Sequence, residues 1–260
     1  MSGDYARREC GATVVLTPSE SKRLIAKAVK EMSEVKKALK DGVIIIIGGT
    51  TNAFVVEELT GREFHKFWFA AGRITHGEFG ANEPGRRIKP LVIRKGVLTD
   101  EHPGDALKGF TGDDVYIKGA NAVDSYGCAG VLMSSDTGGA IGAAMGILNA
   151  RGSSLIVPVG LEKLVPSVVE ASRHCGQGRF RYSTGDPVGM MPLVNARVVT
   201  EIDSIEMLFP DAGLNATHIA GGGVNGSEGS VALSIEGRSE AVKKAFDYIL
   251  GIKGEKAVTA

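Results

Sequence analysis

Residues 18–41 carry the clearest periodic pattern in the chain. Leu24, Ile25, Ala28, Val29, Met32, Val35 and Leu39 recur at helical spacing, and lysines fill the other face. Thr17, Pro18 at the first helical position and Glu20 at the capping-box position mark the start, and Gly42 stands where a C-cap belongs. The pattern predicts one long helix. It leads straight into Val43, Ile44, Ile45, Ile46 and Ile47, five β-branched residues in a row that predict a buried strand. Gly48, Gly49, Thr50, Thr51 and Asn52 then read as a turn, and residues 53–59 as the first turns of a helix.

Downstream, residues 65–74, 89–98 and 113–119 read as further strands. Residues 75–87 are too rich in glycine and charge for a helix and read as a surface loop. Residues 135–152 form a small-residue helix with Gly138, Gly142 and Gly146 on one face, and 153–160 a buried strand. That glycine spacing also occurs in membrane helix dimers, but about eleven apolar residues cannot span a bilayer, so close packing on a sheet is the expectation. Alternating strands and helices imply an α/β fold: a mostly parallel sheet with helices on both faces and ligands beyond the carboxyl ends of its strands. From residue 195 the texture changes to strand (195–200), helix (201–209), two strands (216–221 and 230–236) and helix (239–251). That order resembles most of a ferredoxin-like α+β unit, so residues 1–194 and 195–260 are expected to form two units.

Thirty basic residues balance thirty acidic ones, which gives no reason to expect nucleic acid or an anionic membrane as partner. A small molecule or a further copy of the chain, in a homo-oligomer, is the expected partner. Gly supplies 36 of 260 residues, which marks many tight turns. Cys10, Cys128 and Cys175 are far apart with no C-x-x-C pair, so neither a disulfide framework nor a zinc site is expected, and a reducing cytoplasm fits best. His65, His76, His102, His174 and His218 show no metal-ligand spacing, and no metal or cofactor is expected. The first ten residues lack the apolar segment of a signal peptide.

A strand-to-helix junction points free backbone N–H groups at one spot with the positive end of the helix dipole behind them. Gly48, Gly49, Thr50, Thr51 and Asn52 are therefore either an anion site with added hydroxyl donors or only a tight turn with a helix cap. Lys118 and Lys163 each end or follow a strand on the same sheet edge. They are either surface lysines or the cations that complete the site.

Three stretches carry a resemblance to the ribose-5-phosphate isomerase group, whose superfamily includes glucosamine-6-phosphate deaminases and coenzyme A transferases. GGTTNAFVVEEL is similar to that group's phosphate loop and helix; IKGANAVD resembles its I-D-G-A-D-E-V-D; and TGGAIGAA, with Lys163 beyond the next strand, falls where the group has a Gly-rich turn and a lysine. The resemblance implies a phosphate loop at Gly49, Thr50 and Thr51, and a ligand site that includes Asn121, Thr137, Gly138 and Gly139. The departures matter for chemistry. Lys118 and Asn121 replace two of the family's aspartates, and the Gly-rich turn offers only Asp136 in place of the proton-transfer glutamate. Asp136 and Asp124 are the carboxylates left for a catalytic role, and with Asn121 they would face the uncharged part of a ligand. Pentose phosphate isomerase activity is not expected.

Other candidates have plainer readings. Glu228, in a Gly-flanked turn, matches the setting of a coenzyme A transferase nucleophile, but an exposed turn carboxylate is favoured. His76 with Glu78, Glu83, Arg86 and Arg87 is either part of a lid or a solvated loop, and Cys128 reads as an inert thiol. The leading function is recognition of a small anion, such as a sugar phosphate, a phosphorylated acid or a coenzyme A derivative, by a protein with or without catalytic activity. A non-catalytic sensor or assembly subunit and a coenzyme A transferase-like enzyme are the alternatives. A nucleotide-binding protein ranks last, because GGTTNAF has neither G-x-G-x-x-G nor a Walker lysine.

Overall fold

A computed structural model describes residues 10–260. At its centre is a six-stranded sheet in the order Ala196–Val199, Ser154–Pro158, Val115–Ile117, Val43–Ile46, Leu91–Arg94, Val97–Thr99. The first four strands are parallel, and the last two form an antiparallel hairpin on the edge. The expected parallel strands at 43–47, 113–119 and 153–160 are therefore present and adjacent. The one expected at 89–98 is the two-stranded hairpin, closed by Lys95 and Gly96 with φ of 49° and 78°.

Every residue of Val43–Ile46 is buried because the sheet is covered on both faces. Ile44 and Ile46 join Ile25, Val29, Val35, Ala38, Phe54 and Val55 in one apolar cluster, so the N-terminal helices and Thr50–Thr60 cover that face. Val43, Ile45 and Ile47 point the other way, toward Leu107, Phe110, Ala144 and Leu148 of helices Pro103–Lys108 and Gly139–Arg151 and the loop between them. The period-2 alternation of a strand thus divides one β-branched run between two cores.

Several expectations are corrected. The long helix is two, Pro18–Glu31 and Ser33–Asp41, separated by Met32 with ψ of 136°. This bend keeps Met32, Val35 and Ala38 in the same buried cluster as Val29. Residues 65–74 are not one strand. Phe69 buries edge-on against Phe64, with ring centroids 5.3 Å apart, in a short helix Lys66–Phe69, and strand begins only at Gly72. The supposed loop after it is a hairpin, Gly72–Thr75 with Glu78–Ala81, turned by His76 and Gly77 in left-handed conformations. In helix Gly139–Arg151 the packed face is Ile141, Ala144 and Leu148. The glycine stripe serves the turn instead: Gly138 is left-handed, a Cβ at Gly142 would overlap the Thr137 carbonyl, and Gly146 meets open space.

The strand expected to open the C-terminal unit, Ala196–Val199, pairs with Ser154–Pro158 and belongs to the central sheet. The next two, Asn215–Gly222 and Ser230–Gly237, form a three-stranded antiparallel sheet with Cys10–Leu16. Val14 and Leu16 bury with Val231, Leu233 and Ile235 beside Ala245 and Ile249 of helix Ser239–Leu250, so an N-terminal strand completes this sheet. The sheets therefore cross the boundary expected at residue 195. A second three-stranded antiparallel sheet, Ala122–Val123, Ala129–Met133 and Gly189–Leu193, was not foreseen. No described helix is long and apolar enough to cross a membrane.

Asn52 ties the central strands together. Its amide nitrogen donates to Ile47 O at 2.6 Å and Ile117 O at 3.3 Å, and the side chain is fully buried. Asn52→Ala leaves the Ile47 carbonyl without that donor, a loss of about 1–3 kcal/mol for a buried polar group. Urea denaturation is expected to show a lower midpoint with an unchanged slope; an unshifted midpoint would refute this role.

Candidate functional site

The parallel strands end in step. Ile47 N donates to Ile117 O (3.0 Å), Lys118 N to Ile156 O (3.0 Å) and Val159 N to Val199 O (3.0 Å). Beyond this shared edge lies a cavity of about 860 Å³, within the size range of small-ligand sites. Gly48 and Gly49 alone make the junction, and helix Thr50–Thr60 starts directly after them rather than near residue 53. Gly48 has to be glycine because a Cβ there would overlap the carbonyl oxygen of Phe69. Thr51 borders the cavity although only 2% exposed.

Two further helices, Gly139–Arg151 and Pro18–Glu31, also begin at the cavity, at Gly138–Gly139 and at Thr17–Glu20. At the last of these, Glu20 completes the expected capping box with Thr17 and is 3% exposed. Burial favours its neutral form, but Lys253 Nζ at 2.6 Å and the amides of Thr17 and Gly254 hold its pKa below the ordinary value. Glu20 is therefore a fixed structural anion. Its partners anchor the C-terminal segment, of which Gly254, Glu255, Ala257 and Val258 line the cavity.

The cationic wall comes from Lys118 and Lys163. Lys118 Nζ donates to Gly119 O at 3.1 Å, and Lys163 Nζ donates to Ala120 O at 3.0 Å. Lys163 is placed by a 3-10 turn, Leu161–Lys163, that follows strand Ser154–Pro158. Burial, then the charge of Lys163, brings the pKa of Lys118 down to about 8. Lys163 falls to about 8 through burial and then Lys22, against the opposing pull of Glu162 and Glu201. Lys22 itself is matched by Glu162 at 3.0 Å. Glu201 is fully buried, and burial pushes its carboxyl up while the Leu161 amide, at 2.9 Å, pulls the other way.

Of the residues singled out by sequence, Gly48, Gly49, Thr50, Thr51, Lys118, Asn121, Gly138, Gly139 and Lys163 border this one cavity. Asn52 lies buried behind its wall as the tie between strand ends, and Thr137 is exposed beside the turn. Neither expected catalytic carboxylate lines the cavity. Asp124 is 5% exposed and its oxygens accept from the amides of Tyr126 (3.0 Å), Cys128 (3.0 Å) and Val168 (2.9 Å), so it pins a loop. Asp136 is exposed in the Gly-rich turn. The Glu228 turn reaches the cavity, where Glu228 accepts from Gly226 N at 2.9 Å.

Sequence reasoning missed Lys22, Arg73 and Asp186, which also line the cavity. Lys22 looked like one more lysine on a polar helix face. Arg73 and Asp186 arrive through tertiary contacts: the Gly72–Ala81 hairpin is bonded to residues 184–186 by Phe79 N to Thr184 O (3.0 Å) and Asp186 N to Phe79 O (2.9 Å). His76, the lid candidate, is at the tip of that hairpin and does not line the cavity. Among the described residues no three His, Cys, Asp or Glu side chains are grouped to hold a metal ion.

The lysines make stability depend on pH. The unfolded chain keeps these two protons until about pH 10.5, whereas the folded chain releases them near 8. Between those values the unfolded state binds more protons, so raising the pH stabilises the fold relative to a Lys118→Met, Lys163→Met double variant. Thermal denaturation of both proteins from pH 7.5 to 10.5 checks this, and parallel curves would contradict it. For Asp124, loss of the acceptor for three amides at about 1 kcal/mol or more each predicts that Asp124→Ala destabilises by at least about 3 kcal/mol, measured by denaturant titration. No protein-family model matches this chain, and neither a curated protein nor a solved structure is similar enough to it to count as a match.

Proposed function

We propose that the protein binds a small phosphorylated or carboxylated metabolite, with the anion against Gly48, Gly49, Thr50 and Thr51 and between Lys118 and Lys163. One observation carries this reading: two half-buried ammonium groups border the cavity, and among the described residues each is hydrogen-bonded only to a backbone carbonyl. The other buried cations are matched by carboxylates: Lys22, also at the cavity, by Glu162, and Arg23 by Glu57, Glu58 and Glu255. Two cations that, among the described residues, have no carboxylate in ion-pair contact, next to a helix N-terminus, favour a ligand that brings negative charge.

Kinship with the ribose-5-phosphate isomerase and coenzyme A transferase superfamily belongs to the same proposal. Its support is that parts of all three resembling stretches, at Gly48–Thr51, Lys118–Asn121 and Gly138–Ile141, border one cavity at the carboxyl edge of a parallel sheet. The sugar-phosphate isomerase reaction itself is not proposed, because Asp124 is saturated by amides and Asp136 lies outside the cavity. Free Cys10, Cys128 and Cys175 suit a reducing cytoplasm. Homo-oligomerisation is favoured by one feature: strand Asn215–Gly222 is a sheet edge with no charged residue along it.

A thermal-shift panel of sugar phosphates, phosphorylated acids and coenzyme A derivatives tests the anion site. Ligand at a hundred times its Kd stabilises by about 2.7 kcal/mol. For a chain of this size that corresponds to roughly 5–10 °C in Tm. Thr51→Glu, which places a carboxylate where the anion belongs, is expected to abolish the response. If no anion shifts the wild type, or if Thr51→Glu responds equally, the junction is a turn and nothing more.

A further inference from the structure

Lys118 and Lys163 meet where the anion cradle ends. The parallel register that pairs Ile46 with Ile117 brings Ile47 and Lys118 next, so Lys118 leaves its strand beside Gly48. Its Nζ is held by the carbonyl of Gly119, and Lys163 Nζ is held by the carbonyl of the following residue, Ala120. Consecutive carbonyls thus hold both amines on one stretch of the wall of a cavity large enough for a small metabolite. Their electrostatic surroundings differ. Glu162, Glu201 and Lys22 act on Lys163, whereas Lys163 is the charged group that acts on Lys118. Arg73 and Asp186 also border the cavity.

We infer that Lys118 is a nucleophilic amine that forms an imine with a small aldehyde or ketone bearing a phosphate or carboxylate, whose anion lies against the Gly48–Thr51 junction and Lys163. The inference rests on the anion-site reading and narrows its ligand to a carbonyl compound. Nζ adds to the carbonyl carbon and passes one proton to the oxygen, giving a carbinolamine. The Lys163 ammonium protonates that hydroxyl, which leaves as water, and the resulting iminium returns a proton to Lys163. The sum is amine plus carbonyl to imine plus water, with no change in oxidation state.

This chemistry requires an unprotonated amine, and a lysine obtains one through desolvation or a neighbouring cation. Lys118 has both, and with its pKa down to about 8 it carries on the order of 10²-fold more neutral amine at pH 7 than an exposed lysine. An arginine could hold the anion equally well but could not make the bond. Lys163 is brought down to about 8 as well, by burial and Lys22, but Glu162 and Glu201 favour its charged form, so it takes the proton-donor role of the pair.

The test is borohydride trapping on the full chain with glyceraldehyde 3-phosphate, followed by peptide mapping, in parallel with thermal shift by inorganic phosphate. A reduced adduct on Lys118 is expected, with unphosphorylated glyceraldehyde labelling about tenfold less, the equivalent of about 1.4 kcal/mol from the anion contact. Trapping is expected to rise with a midpoint near pH 8 in the wild type, and to need higher pH in Lys163→Met. Lys118→Arg, shown to be folded by circular dichroism, is expected to lose the adduct. Stabilisation by glyceraldehyde 3-phosphate without labelling of Lys118, labelling spread over surface lysines, or an adduct that survives Lys118→Arg would overturn the imine and leave the anion site standing. No stabilisation by either phosphate compound would remove both.

Discussion

The pairing of Val43–Ile46 with Val115–Ile117 is the constraint on which the rest of the molecule depends. Parallel strands run the same way, so their carboxyl ends finish at one edge and whatever follows each strand is delivered to the same place. Here the followers are Gly48 and Gly49 on one strand and Lys118 and Gly119 on the next. The Asn52 amide reaches back from the first turn of the following helix to the carbonyls of Ile47 and Ile117, so the helix start and both strand ends are fixed by one side chain. The absence of a side chain at Gly48 lets the backbone of Phe69 pass against the junction, which brings the hairpin after it to the cavity rim.

Charge is handled in two ways. Around the C-terminal segment it is matched: Arg23 bonds Glu57, Glu58 and Glu255 at 2.6, 2.9 and 2.8 Å, and Lys253 bonds Glu20 at 2.6 Å. Burial works against the Arg23 charge, but these carboxylates raise its pKa above the ordinary value. The network clamps the end of the chain across the first helix and makes it part of the cavity. In the cavity itself the balance is left open: Lys118 and Lys163 lean on carbonyl dipoles, repel one another and hold their protons weakly. A fold that tolerates two such groups forgoes stability that matched pairs or apolar side chains would provide, a pattern expected at sites built for a partner.

Glycine and carboxylates build this architecture as much as apolar residues do. Asp114 is nearly buried and accepts from Val43 N at 2.7 Å and Thr111 N at 2.6 Å, so it aligns the amino ends of the two central strands as Asn52 aligns their carboxyl ends. Asp124 does the same for the loop after Val123. A carboxylate that accepts several amides is a frame element, and its short-range appearance in sequence is indistinguishable from that of a catalytic group.

The sequence by itself determined the elements whose signals are local. The capping box at Thr17 and Glu20, the β-branched run 43–47, and the existence of a small-residue helix within 135–152, observed as Gly139–Arg151, all follow from propensity and capping, and alternation of strand and helix was enough for a mostly parallel α/β sheet. Shared placement of Gly48–Thr51, Lys118 and Lys163 was also legible, because residues that follow parallel strands must gather at one edge, whereas Gly138–Gly139, which follow an antiparallel strand, were placed there only by the resemblance. Only the tertiary structure decided the remainder. It moved Asp124 and Asn52 from ligand to framework, since their partners are amides and carbonyls up to 65 residues away. It made a helix of the aromatic run before Gly72, because burial of Phe69 outweighs strand propensity. It sent Ala196–Val199 to the central sheet and brought Cys10–Leu16 to the C-terminal strands, because strand partners are chosen by the apolar faces available to cover, which no local pattern records.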